Sequence, residues 1–164
     1  MTDDTPRVRA LVLGVGNPLM SDDGVGLRLL RALAESCSLV GVEFVDAGTL
    51  SLLLLPRLEG ADGLLVLDAA QFDAAAGAVR TLEGPAMDEF LRSSRCSVHE
   101  VGLRDLIDAA RLTGVLPQRR ALVGVQPLAV GWGESLSPAV EAAVPSAVAL
   151  ALGFLASWTG DAWP

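Results

Sequence analysis

The feature that most constrains this chain is a short apolar run that keeps returning between segments of helical periodicity. RALVLGVG (9–16) carries no polar alternation and reads as a strand covered on both faces, hence central. GVGLRLLRALAESC follows with apolar residues at helical spacing and Arg28 and Arg31 between them. VEFVDAG and DGLLVLDAA read as the second and third strands, with TLSLLLLPRLE between them as a helix disturbed at Pro56. GAVRTLE is a short edge strand. After it come a small helix near Met87 to Arg92, a longer one from Val98 to Leu112, the strand RALVGVQP and a terminal helix after Pro138. The alternation predicts the α/β class: one three-layer domain over residues 1–164, with a twisted, mainly parallel sheet of about five strands and helices on both faces. The extreme termini, 1–6 and 159–164, are expected to be mobile.

In such a sheet ligands bind beyond the carboxyl ends of the strands. Asp46 and Asp68 end the second and third strands, and GVGNPLMSDDGVG (14–26) follows the first. That stretch begins like a dinucleotide loop: Gly14 and Gly16 match the first two fingerprint glycines, and Asp46 resembles the ribose-binding acid. It does not continue as one. Leu19 stands at the third glycine, Pro18 lacks an N–H, and Asp22 with Asp23 places negative charge where a pyrophosphate needs amides, so no nucleotide is expected. Ser21, Asp22 and Asp23 are all competent helix caps, and one cap suffices. Asp23, beside Gly24 and Gly26, is the residue left open to a ligand.

Asp68 closes an apolar run, where a carboxylate needs loop amides, a cation or a metal to accept it. His99 is the sole histidine; SVHE forms a capping box, with Ser97 as cap and Glu100 reaching back. In that first turn the helix dipole favours a neutral imidazole able to bind metal or exchange a proton. Asp23, Asp68 and His99, arriving from separate connections, make an open site for a divalent metal such as nickel, zinc, manganese or iron, and ligand type does not choose among them. Two other readings compete: Cys96 with His99 as a nucleophilic pair, and a receiver-like switch with Asp22 and Asp23 on magnesium and Asp68 accepting phosphoryl.

All 12 basic residues are arginine, so the receiver reading lacks its lysine, and Schiff-base and P-loop chemistry are excluded with it. A net charge of -8 excludes general affinity for nucleic acid or anionic membrane and favours a neutral or basic partner. With 51% hydrophobic but 4% aromatic residues, the core must be Ala, Val and Leu. Cys37 and Cys96 are too few for a disulfide framework and MTDDTPRVR is no secretory signal, so the cytoplasm is expected. AVPSAVALALGFLASW falls short of the roughly 18–20 apolar residues of a membrane span, Pro145 interrupts its start, and it reads as a buried helix.

Nearly end to end, the sequence resembles the nickel-iron hydrogenase maturation endopeptidases, which are filed with the aspartic-type peptidases. The resemblance is carried by GVGNPLMSDDGVG, DAGT, LLVLDA, VHEVGLRDLI, LVGVQP and LSPAVEAAV. It implies metal contacts at Asp23, Asp68 and His99, with aspartate at 23 where some members have glutamate. It implies Asp46 as a further acid, with Asp23 or Asp46 as catalytic base, and substrate contacts at Asn17, Gly48 and Thr49. The implied substrate is a hydrogenase large-subunit precursor that brings its own nickel and loses a C-terminal peptide. The implied protease is a cytoplasmic monomer that neither inserts into membranes nor binds nucleic acid. A maturation chaperone that reads the same nickel centre without cutting is the alternative.

Overall fold

The computed structural model describes residues 9–48, 52–93 and 98–160, and for residues 98–101 the backbone alone. Its strands are β1 (Ala10–Val15), β2 (Val42–Gly48), β3 (Gly63–Ala69), β4 (Val79–Glu83) and β5 (Arg119–Val125). They lie in the order β2-β1-β3-β5-β4. Every neighbouring pair is parallel except β4 with β5, which is antiparallel and puts β4 on the edge. β1 and β3 are buried along their whole length, as strands sandwiched between helices must be.

The helices are α1 (Val25–Ser36), α2 (Leu55–Leu58), α3 (Pro85–Arg92), α4 (Val98–Thr113) and α5 (Pro138–Thr159). One face of the sheet, through Val12, Leu65, Leu67 and Val123, packs on Leu29 and Leu33 of α1 and on Val144, Ala147 and Leu155 of α5. The other, through Leu11, Leu13, Leu64 and Val66, packs on Leu58 of α2, Met87 and Leu91 of α3, and Leu103, Leu106 and Ile107 of α4. Each fully buried leucine contributes about 1.5–3 kcal/mol, so a core nearly free of aromatics holds three layers together.

Two segments differ from expectation. Of TLSLLLLPRLE, residues 49–51 lie outside the described residues, and the rest is not one disturbed helix: a 3-10 turn, Leu52–Leu54, leads into the single turn of α2, with Pro56 in that first turn. A proline there is pre-set for helix and loses no bond, so Pro56 starts the helix. Pro145, although interior and without a helical amide, leaves α5 one continuous helix of 22 residues, which by length and composition reaches the dimensions of a membrane span. Only one stripe of it is buried: Val140, Ala143, Val144, Ala147, Ala151, Leu155 and Trp158. The indole of Trp158 lies where a Cβ on Gly63 would be, 2.7 Å from its Cε3. Of the termini expected to be mobile, Thr159 ends α5 and Gly160 caps it at φ +72°, while 1–6 and 161–164 lie outside the described residues.

Candidate active site

Two glycines clamp the segment after β1 onto the sheet. A Cβ on Gly26 would sit 2.2 Å from the Val15 carbonyl oxygen and 2.4 Å from that of Leu67, so the start of α1 rests directly on the ends of β1 and β3. Gly16, at φ +125°, brings its Cα so close to Asp23 that a Cβ would lie 1.9 Å from the Asp23 carbonyl oxygen. Asp23 is thereby buried at the carboxyl edge, in the 3-10 turn Ser21–Gly24. Its Oδ2 accepts the Asn17 amide at 2.8 Å, and Asn17 Oδ1 accepts the Leu19 amide at 3.0 Å.

Asp68, one residue beyond the Leu67 that pairs with Gly14, is also buried. It alternates with Leu64 and Val66, which places it on the sheet face that carries α4. The C-terminus of α4 feeds β5, whose start lies at the amino edge, so the 16-residue helix runs back and begins at the carboxyl edge. His99 belongs to that first turn. Its side chain, that of Glu100, and all of Cys96 and Ser97 lie outside the described residues, as does Thr49.

Asp46 goes elsewhere. Val45 and Ala47 join the core on the α4 side and Phe44 joins the opposite one, so alternation puts Asp46 with Phe44, away from Asp68. It is exposed, and its Oδ1 accepts the Gly48 amide at 3.0 Å. The Gly48 carbonyl accepts the Gly16 amide at 2.9 Å, tying the end of β2 to the Asp23 loop. The structure therefore brings Asp23, Asp68 and the start of α4 to one edge and leaves Asp46 on its outer side.

A family model described as hydrogenase maturation protease matches residues 27–154. The chain belongs to that family. It is 39% identical over 152 residues to the hydrogenase expression/formation protein HupD of Rhodobacter capsulatus, covering 92% of this chain and 72% of the relative. To the hydrogenase 2 maturation protease of Escherichia coli it is 35% identical over 150 residues, covering 90% and 91%. The solved hydrogenase maturating endopeptidase HybD of E. coli superposes with a TM-score of 0.86 at 34% identity, covering 92% of this chain and 93% of that one.

In this maturation protease the aspartate pair divides its labour differently from helix capping. Gly24 precedes α1 as its N-cap, and no side chain caps the helix there. Asp22 is wholly buried and accepts the Leu128 and Ala129 amides at 2.9 and 3.1 Å, and the Ser137 amide and hydroxyl at 2.6 and 2.9 Å. Burial alone would raise its pKa, but the bonds from Ser137, Ala129 and Leu128 outweigh burial and hold it below the ordinary carboxylate value. Asp22 thus binds a loop that the motif did not reveal, residues 127–137, to the loop carrying Asp23. Gln126 is a second residue missed from sequence: its buried amide oxygen accepts the Phe72 amide at 2.7 Å and fixes the chain leaving β3 just after Asp68. Asp23 and Asp68 are buried carboxylates at a common edge, a donor set suited to a divalent cation.

Proposed function

We propose that this protease removes the C-terminal extension of a nickel-loaded hydrogenase large-subunit precursor, with Asp23, Asp68 and His99 contacting the nickel that the substrate carries. The observation that carries the reading is the convergence of two buried carboxylates and the first turn of α4 on one sheet edge, in a chain of this peptidase family. Nickel is part of the substrate in this reading and acts as the sign that loading is complete.

For the bond cleavage we assign Asp23 as the base. It takes a proton from water, the water oxygen attacks the scissile carbonyl, and Asp23 returns that proton to the leaving nitrogen as the C–N bond breaks, which restores the carboxylate. Asp46 is exposed, lies on the other face and accepts the Gly48 amide, which suits a residue that shapes the end of β2 at Gly48, beside the substrate. Asn17 acts here through its amide to Asp23. The buried free thiol of Cys37 is in keeping with work in a reducing compartment such as the cytoplasm.

Mass spectrometry of a purified precursor, nickel-loaded and nickel-free, after incubation with the protein and with Asp23→Asn tests the proposal. One C-terminal peptide should be lost, only from the loaded precursor and only with the unaltered protein. Tight binding to the loaded precursor with no cleavage would replace the protease reading with that of a chaperone.

A further inference from the structure

We infer that residues 127–133, together with Leu19, form the docking surface for the folded body of the precursor, separate from any contact with the scissile tail. The inference rests on the functional reading above and adds to it the surface that positions the substrate. PLAVGWG, residues 127–133, contains no charged residue in a chain that is 20% charged. Its large side chains face water: Trp132 is 87% exposed, Leu128 65% and Val130 56%, with Leu19 at 48%. A soluble chain exposes single apolar residues freely, but four on adjacent segments make a patch that marks an interaction site.

These segments are adjacent because the backbone pairs them. Met20 and Gly133 form a parallel bridge; the Gly133 amide donates to the Leu19 carbonyl at 3.0 Å and the Ser21 amide to the Gly133 carbonyl at 2.7 Å. Leu19 therefore lies opposite Trp132. Ser21 Oγ donates to the Gly131 carbonyl at 2.9 Å, and a Cβ on Gly133 would meet that Oγ at 2.9 Å, so the loops pack without space between them. Asp22 supplies the remaining bonds, to Leu128 and Ala129.

The occupant follows from this continuity. Asp22 holds the patch and the adjoining Asp23 faces the site, so a protein seated on Trp132 is set in register with Asp23. A globular body that brings a metal centre to a buried edge must cover the rim of that edge. Residues 127–133 carry no charged side chain, so seating a body on them desolvates no charge of their own. Trp is also the residue type most enriched among those that dominate interface energy.

Steady-state cleavage of the nickel-loaded precursor by Trp132→Ser and by the double variant Leu128→Ser/Val130→Ser tests this. Leu112→Ser serves as a control: Leu112 is 88% exposed at the end of α4, at the opposite edge. All these side chains are exposed, so unchanged melting temperatures are expected for every variant. KM should rise about tenfold or more with kcat held, for the patch variants and not for the control. Unchanged KM for the patch variants, or an equal rise for Leu112→Ser, overturns the assignment. So does a dimer of the unaltered protein in sedimentation that Trp132→Ser dissociates, or a synthetic extension peptide that displaces the precursor from the unaltered protein but not from Trp132→Ser. If the unaltered protein cleaves no precursor, the functional reading fails and the docking inference falls with it. Cleavage with unaltered KM in the variants removes the docking inference alone.

Discussion

Asp22 and Ser137 stand 115 positions apart in sequence, yet the amide and hydroxyl of Ser137 both donate to the Asp22 carboxylate, at 2.6 and 2.9 Å. Asp22 follows β1 and Ser137 precedes α5, so this contact closes the first βα connection of the fold against its last. Asp22→Asn would turn an amide NH2 toward groups that are themselves donors. We expect a loss of about 2–4 kcal/mol, the scale for breaking a buried charged hydrogen-bond group, read as a lower urea midpoint at unchanged m-value.

The same carboxylate sets an acid limit. Its folded pKa is below the ordinary 3.8, so its stabilisation is fully present above that value and is lost as pH falls through the depressed folded one. Asp88 behaves alike. Burial opposes its charge, but the Arg120 guanidinium, bonded at 2.9 and 2.8 Å, and Arg111 at 2.7 Å hold its pKa down. Stability should be flat from neutrality to about pH 4–5 and fall below it, and Asp22→Asn should flatten that acid limb. An acid limb of equal slope in Asp22→Asn would show that Asp22 does not contribute to it.

Gly26→Ala should be among the most damaging small substitutions in the chain. The new methyl would fall inside van der Waals contact of the Val15 and Leu67 carbonyl oxygens, both backbone atoms that cannot turn aside. Lifting the start of α1 off the sheet costs about 1–3 kcal/mol or more and displaces Asp23 with it. Thermal melts and precursor cleavage should therefore fall together.

His99→Ala should abolish precursor processing while circular dichroism and the melting temperature stay those of the unaltered protein. Asp46→Ala, by contrast, removes one exposed acceptor and should lower kcat by far less than Asp23→Asn. If His99→Ala processes loaded precursor at the normal rate, the metal-reading role given to that histidine is wrong. Equal losses for Asp46→Ala and Asp23→Asn would shift the base assignment toward Asp46.

Local pattern was enough to place the strands and the main helices, because each stands on its own periodicity: VEFVDAG is β2 from end to end. Pro56 misled because a proline in the first turn of a helix meets no preceding turn and needs no amide, a position that cannot be judged from a residue list. Pro145 differs: it stands inside α5, where it removes one helical bond, and the helix continues through it. Asp23 and Asp68 were legible as a pair because strand ends in a parallel sheet share an edge. The face on which Asp46 leaves was not, since it depends on where alternation meets the end of β2. The role of Asp22 was least legible of all, because its partners are backbone amides, and every residue but proline carries one.

The stapling of the two loops also fixes an order of events. Chains grow from the N-terminus at about 5–20 residues per second, and β1 and the Asp23 loop leave the ribosome well before Leu128, Ala129 and Ser137, whose donors Asp22 requires. Until those residues emerge, Asp22 is a carboxylate without the bonds that keep it inside the protein, and the segment around it has no reason to settle. Limited proteolysis of stalled nascent chains should find that segment cleavable until Ser137 has emerged. The edge that carries Asp23 is thus closed only once the chain has grown past Ser137, and a half-made copy cannot hold it in place.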